Sequence, residues 1–146
     1  YDNKILDLTP TRYSNNNAIN NIISAYAVKF NETKIPFNIH CGISETISIN
    51  DVDLISLLGN LLENALHGCK ECEGDKRADI YLRLQNKKLI VVCENTCSSE
   101  LELVDGLPKR KSVGVSSMLA VCHKYNGHLG YSINKGICSA CAVLNL

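Results

Sequence analysis

A row of polar side chains runs along one face of a leucine-rich segment. Asn60, Asn64 and His67 are four and then three residues apart, a spacing that places them on one face of an α-helix. Asparagine is a poor residue for a helix interior. We therefore interpret the row as directed at a ligand, although a solvated face remains the alternative. An Asn oxygen suits Mg²⁺, which takes hard oxygen ligands, and His67 can donate a hydrogen bond to a phosphate.

Three further features of the sequence suit phosphate chemistry. Glu63 lies at the edge of the same face and can orient a water on a metal, or it is simply an exposed helical Glu. Gly114 lets a backbone approach a phosphate closely, and the amides of Val115 and Ser116 then begin a helix, which is a natural anion site. The basic run Lys109, Arg110 and Lys111 is either a phosphate clamp or a solvated turn.

The hydrophobic periodicity predicts the elements that must position these residues. We expect one domain over residues 1–146, folded as an α/β (α+β) two-layer sandwich. Its mixed, mostly antiparallel sheet should be covered on one face by about three helices. The predicted helices are 15–31, 53–72 and 116–125. Ser14 or Asn15 caps the first helix. Asp51 or Asp53 opens the second helix, and Gly74 closes it. The predicted strands are 36–41, a short strand 46–49, and the hairpins 79–94 and 128–146.

Composition excludes some classes of function. The 15 basic and 15 acidic residues cancel, which argues against a nucleic-acid binder that works by electrostatics. The sequence contains no apolar run as long as a bilayer span. We therefore expect neither nucleic-acid binding nor direct membrane contact by this chain.

Two motifs resemble those of a known superfamily. LLGNLLENALHGC, residues 57–69, resembles the N box of the GHKL ATP-binding proteins, which include gyrase, a heat-shock chaperone class, histidine kinases and MutL. The resemblance implies that Asn60 and Asn64 lie at the nucleotide, that Asn64 binds magnesium, and that His67 takes the place of a basic residue that reaches a phosphate. KSVGVSSMLAVCHKYNGHLGYS, residues 111–132, resembles the G2 box, which includes Gly114.

The overall order resembles the NatK- and AgrC-like histidine kinases. This resemblance implies a Bergerat-type fold that binds Mg²⁺–ATP and donates the γ-phosphate to a histidine on a helical domain of the same protein, with a response regulator as the next partner. The start at Tyr1 is typical of a C-terminal fragment, here the cytoplasmic part of a membrane-anchored sensor. The alternatives are a serine kinase of the anti-sigma-factor type and a degenerate, non-catalytic dimerisation module.

The sequence departs from the superfamily pattern at two boxes. Where the G1 box normally has Asp-x-Gly-x-Gly, this chain has ENTCSS. Asn95 is our candidate for the adenine contact, because its carbonyl oxygen can accept the same hydrogen bond as the Asp. Ser112 stands where the G2 box usually has a Gly. We expect residues 98–111 to form the lid over the nucleotide, and nucleotide binding to be modest.

The histidines give no evident phosphoacceptor. His40, His67, His123 and His128 are the four in the chain, and all fall inside the predicted ATP-binding fold. We therefore expect no autophosphorylation by this chain alone.

The eight cysteines include two CxxC pairs, Cys69–Cys72 and Cys138–Cys141, which are half-sites for zinc in other proteins. The first pair ends a predicted helix. The second lies on a predicted strand, where residues three apart point to opposite faces. We therefore predict reduced thiols and no bound zinc. Metal analysis of the purified protein is the check, and about one equivalent of zinc held by cysteine, as in tetrahedral sites, would contradict the prediction.

Overall fold

A computed structural model describes residues 13–43, 46–98 and 101–146. Three helices and seven strands occur in these residues, in the order helix, strand, helix, four strands, helix, two strands. The helices are α1 (Asn17–Glu32), α2 (Asp51–Glu71) and α3 (Val113–Lys124). The strands are β1 (Phe37–Cys41), β2 (Ala78–Gln85), β3 (Lys88–Thr96), β4 (Leu103–Val104), β5 (Leu107–Pro108), β6 (His128–Asn134) and β7 (Ile137–Asn145).

Five of the strands form one mixed sheet in the order β1-β2-β3-β7-β6. β1 runs parallel to β2, and every other neighbouring pair is antiparallel. Both predicted hairpins are present. Each turns through two residues with positive φ, Asn86–Lys87 and Lys135–Gly136, which is the backbone twist that two-residue hairpins favour.

The helices cover one face of this sheet. Alternate residues of β3 and β7 are buried, among them Leu89, Val91, Ala142 and Leu144 at 0% exposure, and they share one core with the leucines of α2. The predicted two-layer sandwich with three helices is therefore confirmed. At the centre of the core is the α2 stripe, with each member at most 4% exposed: Leu54, Leu57, Leu58, Leu61, Leu62, Ala65, Leu66 and Cys69.

The predicted strand at residues 46–49 is wrong. This segment is a loop, and residues 44 and 45 before it lie outside the described residues. Its alternating pattern arises because Ile47 is buried at 7% exposure and Ile49 packs against the core. A loop that inserts apolar side chains at every second position imitates a strand in sequence.

The helix boundaries also differ from the prediction. Asn16 caps α1, since its Oδ1 accepts from the Ile19 amide at 2.9 Å. Asn50 caps α2 by accepting from the Val52 amide at 2.8 Å, and α2 ends at Glu71, before Gly74. In a run of several Asn, Ser and Asp residues, each can act as a cap, so the sequence does not decide which one does.

The last helix and the segment before it were only partly predicted. α3 begins at Val113, three residues earlier than expected, because Ser112 caps it. The stretch before it contains the small hairpin β4–β5, which turns at Asp105–Gly106 with positive φ. Among the described residues, no helix is long and apolar enough to cross a membrane.

Gly127 is the tightest glycine in the packing. It follows Asn126, whose positive φ of 53° ends α3, and its amide donates to Cys122 O at 2.8 Å. A methyl group at Gly127 would overlap the backbone carbonyl of Val143 in β7. A backbone atom in the central sheet cannot easily move away.

We therefore predict that Gly127→Ala lowers the free energy of unfolding by about 1–3 kcal/mol or more, as overpacking does. Urea denaturation measures this. Gly74→Ala is the matched control, because nothing lies within 4 Å of an added methyl there, and its effect should stay within about 0.5 kcal/mol. Equal stability of the Gly127→Ala and parent proteins would show that the sheet moves away from the added methyl.

Candidate nucleotide site

A cavity of about 220 Å³ lies between α2, the ends of β3 and β7, and the lid segment. The predicted site residues Asn64, His67, Asn95, Arg110 and Val115 line it. The other predicted site residues lie outside its lining: Asn60, Glu63, Lys109, Lys111, Gly114 and Ser116. The residues that the sequence did not single out contribute mostly small or apolar surface, and include Gly68, Cys93, Cys97, Leu101, Pro108, Tyr131, Cys138 and Ala140.

Asn64 is oriented by a tyrosine from the other side of the cavity. Its Nδ2 donates to the Tyr131 hydroxyl at 3.3 Å. This hydrogen bond directs the nitrogen of the amide at Tyr131, so the carbonyl oxygen lies at the other end and can serve a ligand. Burial raises the pKa of Tyr131 to about 12, so its hydroxyl stays protonated at neutral pH. Sequence reasoning missed Tyr131, which lies 67 residues from Asn64.

Asn60 lies against the start of α3. Its Nδ2 donates to Ser56 O within its own helix at 2.7 Å. A methyl group built on Gly114 would lie 2.8 Å from Asn60 Oδ1. The missing side chain at Gly114 therefore lets the N-terminus of α3 approach the polar face of α2. The predicted N-box asparagine and G2-box glycine are thus in contact, although neither lines the cavity.

The predicted catalytic role of Glu63 does not fit its position. The carboxylate accepts a hydrogen bond from the Tyr26 hydroxyl of α1 at 2.9 Å. Burial and this carboxylate together raise the pKa of Tyr26 to about 12. A helix turns about 100° per residue, so the position before Asn64 faces α1 instead of the cavity.

His67 points partly away from the cavity. It is exposed, and its Nε2 lies 2.9 Å from Glu71 Oε1, one turn further along α2. The i,i+4 pairing keeps the imidazole on the outer rim of the cavity. His67 can therefore reach a ligand only at the mouth.

The start of α3 offers different amides from those predicted. The Val115 amide donates to Ser112 Oγ at 3.1 Å, and the Ser116 amide donates to Ser112 O at 3.0 Å. Both are engaged by the cap, so the expectation that they receive a phosphate is not supported. The first two amides of the helix, on Val113 and Gly114, are the ones that an N-terminus leaves for an anion.

The basic run divides among three environments. Arg110 lines the cavity. Lys109 pairs with Glu102 across the lid at 3.4 Å, with both side chains largely exposed, and Lys111 is exposed. Residues 99 and 100 of the lid lie outside the described residues. The tip of its hairpin is attached to the sheet, because the Tyr131 amide donates to Gly106 O at 2.6 Å.

Asn95 is buried at 8% exposure near the end of β3. Its Nδ2 donates to Thr96 O at 2.9 Å. Beside it, Cys93, Cys97 and Cys138 form the cavity floor. Burial raises the pKa of all three thiols, that of Cys138 to about 11, so the floor is uncharged at neutral pH.

Tyr131→Phe should reveal the hydroxyl that orients Asn64. Removing one partner of a hydrogen bond costs about 1 kcal/mol. In the folded protein the pKa of Tyr131 is about 12, against about 10 in an unfolded chain. Below about pH 10 the raised pKa adds its full stabilisation, which is lost as the pH rises toward 12, because the unfolded state deprotonates first.

We therefore expect the parent's advantage over Tyr131→Phe in urea denaturation to shrink by about 1 kcal/mol between pH 9 and pH 11. An advantage that is equal at both pH values would contradict the buried, protonated hydroxyl.

Comparison with known proteins places this site in a family. A family model described as a GHKL domain matches residues 49–140, which include α2, the cavity and α3. Among proteins of curated function, no sequence matches.

Solved structures share the fold at low sequence identity. The nucleotide-free catalytic domain of histidine kinase ThkA superposes with a TM-score of 0.70 at 14% identity, covering 88% of this chain and 90% of that domain. The Acinetobacter baumannii histidine kinase AdeS gives 0.70 at 14% identity, covering 99% of this chain and 71% of that one. ThkA in complex with response regulator TrrA gives 0.69 at 15%, covering 97% and 45%. The fold is that of histidine kinase catalytic domains, and this chain belongs to the GHKL domain family.

Proposed function

We propose that this domain binds Mg²⁺–ATP and serves as the catalytic domain of a two-component sensor histidine kinase, donating the γ-phosphate to a histidine elsewhere in the protein. One observation carries the proposal. Asn64 from α2 and Asn95 from β3 line the same cavity, although 31 positions separate them in the sequence. Each amide donates one hydrogen bond to the protein through its nitrogen, and the carbonyl oxygen at its other end can accept from or coordinate a ligand.

The inner part of the cavity suits a purine base. Its floor is made of neutral thiols and Ala140, and Asn95 supplies a carbonyl oxygen to accept a hydrogen bond. Cavities that enclose a whole drug-sized ligand measure about 300–1,000 Å³. At about 220 Å³, this one holds a base and leaves a phosphate chain at the mouth.

The mouth suits a triphosphate with its metal. Arg110 brings a positive charge to the lining, and the first amides of α3 lie nearby, since Gly114 contacts the same polar face of α2. The residue that would hold Mg²⁺ is Asn64, whose neutral oxygen is a hard ligand. A bound Mg²⁺ neutralises charge on the phosphate oxygens. The protein's own part in such chemistry is to position groups and stabilise charge.

The finer assignments rest on the resemblance to histidine kinases. The ThkA structure contains a response regulator bound to a kinase of this fold, which supports a response regulator as the partner here. The acceptor would lie on a helical domain of the same protein. The proposal includes the NatK- and AgrC-like group and a cytoplasmic position below a membrane-anchored sensor.

Asn64→Ala tests the proposal. If Asn64 is the magnesium ligand, the variant should bind ADP several-fold more weakly than the parent in the presence of Mg²⁺. With the metal chelated, the two proteins should bind alike, because the side chain acts through the ion. Calorimetric titrations with and without a chelator measure this. Stability should change by about 1 kcal/mol at most, since the lost Tyr131 hydrogen bond is offset by the better helix propensity of Ala.

The control is Asn31→Ala, the same change at an exposed helical position of α1, which should leave binding intact. An Asn64→Ala protein with the parent's magnesium dependence would remove the metal-site assignment. A parent that gives neither heat nor a thermal shift at millimolar nucleotide would favour the non-catalytic module instead.

A further inference from the structure

We infer that Gly68 fixes which end of the Asn95 amide faces the base, and that this makes the site select 6-amino purines over 6-oxo purines. The inference rests on the proposed nucleotide site and extends it to Gly68, which lies in the segment that resembles the N box but receives no role from that resemblance. It follows from the packing between one turn of α2 and the end of β3.

The Asn95 amide has only one orientation that satisfies its surroundings. Its nitrogen lies 2.9 Å from the carbonyl oxygen of Thr96. A carbonyl oxygen only accepts, so the NH₂ end must face it and Oδ1 must face the other way. At 8% exposure, a reversed amide would place two acceptors together without water between them, which is unfavourable.

Thr96 is itself held in place. Its amide donates to Arg77 O at 3.0 Å, and its Oγ1 accepts from the Arg77 amide at 3.1 Å. Its side chain also lies 3.8 Å from Cys69 Sγ of α2. The carbonyl that receives the Asn95 nitrogen is therefore part of a fixed piece of sheet.

Gly68 provides the space that this orientation needs. A methyl group at Gly68 would lie 2.5 Å from Asn95 Nδ2 and 3.5 Å from its Cγ, whereas the nearest backbone atom, Thr96 O, is 3.9 Å away. The amide, not the backbone, would have to move. An Ala at position 68 therefore displaces the Asn95 nitrogen from Thr96 O. Without this hydrogen bond, the amide has no preferred orientation.

The orientation matters because an amide has two unlike ends. A carboxylate accepts hydrogen bonds with either oxygen and needs no such restraint. Asn95 lines the cavity, and Oδ1 is the end of its amide that is not bonded to Thr96 O. We assign this oxygen to the base: it would accept from the 6-amino group of adenine, whereas the 6-oxo group of guanine would meet it as a second acceptor. Reversed, the amide would donate to guanine and meet adenine with a second donor. The space at Gly68 lets Thr96 O hold the amide in one orientation, and this orientation sets which purine Asn95 can accept a hydrogen bond from.

The experiment measures the ratio of the dissociation constants of ADP and GDP by calorimetry. The parent should prefer ADP, and Gly68→Ala should reduce this preference about tenfold, as expected when a polar group changes from paired to unpaired. Gly59→Ala is the matched control. It makes the same change on the same helix, and its methyl meets only Ile22 Cδ1 at 3.7 Å, so its ratio should equal the parent's.

The affinity for GDP separates orientation from general damage. A turned amide presents its nitrogen to the base, so Gly68→Ala should bind GDP several-fold more tightly than the parent does. A cavity that Gly68→Ala merely distorts would bind both nucleotides more weakly.

The outcomes are distinguishable. A parent that binds neither nucleotide would remove the proposed function and this inference together. A parent that prefers ADP and a Gly68→Ala protein with the same preference would leave the function standing and overturn the inference. A Gly68→Ala protein that loses the preference without any gain in affinity for GDP would overturn it as well.

Discussion

The site depends on helix α2 meeting two opposite requirements. One side of the helix must be apolar, because eight of its side chains, from Leu54 to Cys69, are buried in the core. The other side has Asn60 and Asn64 in the middle of the helix, where asparagine lowers the stability of the helix. The buried leucines fix the rotation of the helix, and this rotation decides that Asn64 faces the cavity and Glu63 faces α1. Burial of apolar surface therefore positions the polar chemistry.

Much of this could be predicted from the sequence. The leucine stripe, the two hairpins with their turns at Asn86–Lys87 and Lys135–Gly136, and the three helices follow from local patterns. The two-layer sandwich follows from their order. The placement of Asn64 and Asn95 in one cavity was also expected, although only from a resemblance to known proteins.

The rest could not be predicted, because it depends on contacts between distant segments. Nothing local relates Tyr131 to Asn64 or Gly68 to Asn95. A segment such as residues 46–49 can bury alternate side chains without becoming a strand, since Ile47 and Ile49 reach the core from a loop. Ser112 stands where the G2 box usually has a glycine, and its hydroxyl accepts from the Val115 amide as a helix cap. A change of residue type at a motif position can thus alter which backbone groups are available, without abolishing the helix that presents them.

The segment at the end of β3 lacks the two glycines of the G1 box, so other residues form this wall of the cavity. A glycine lets a ligand approach the backbone because no side chain intervenes. Here the floor has small side chains instead, Cys93 and Cys97 from the β3 end and Cys138 and Ala140 from β7. Burial raises the pKa of these thiols, so they remain neutral and behave as small apolar groups. A flat base can lie on such a surface without a charge beneath it. In the nucleotide site that we propose, recognition of the base then depends on the buried amide of Asn95, and for this reason its orientation would set the selectivity.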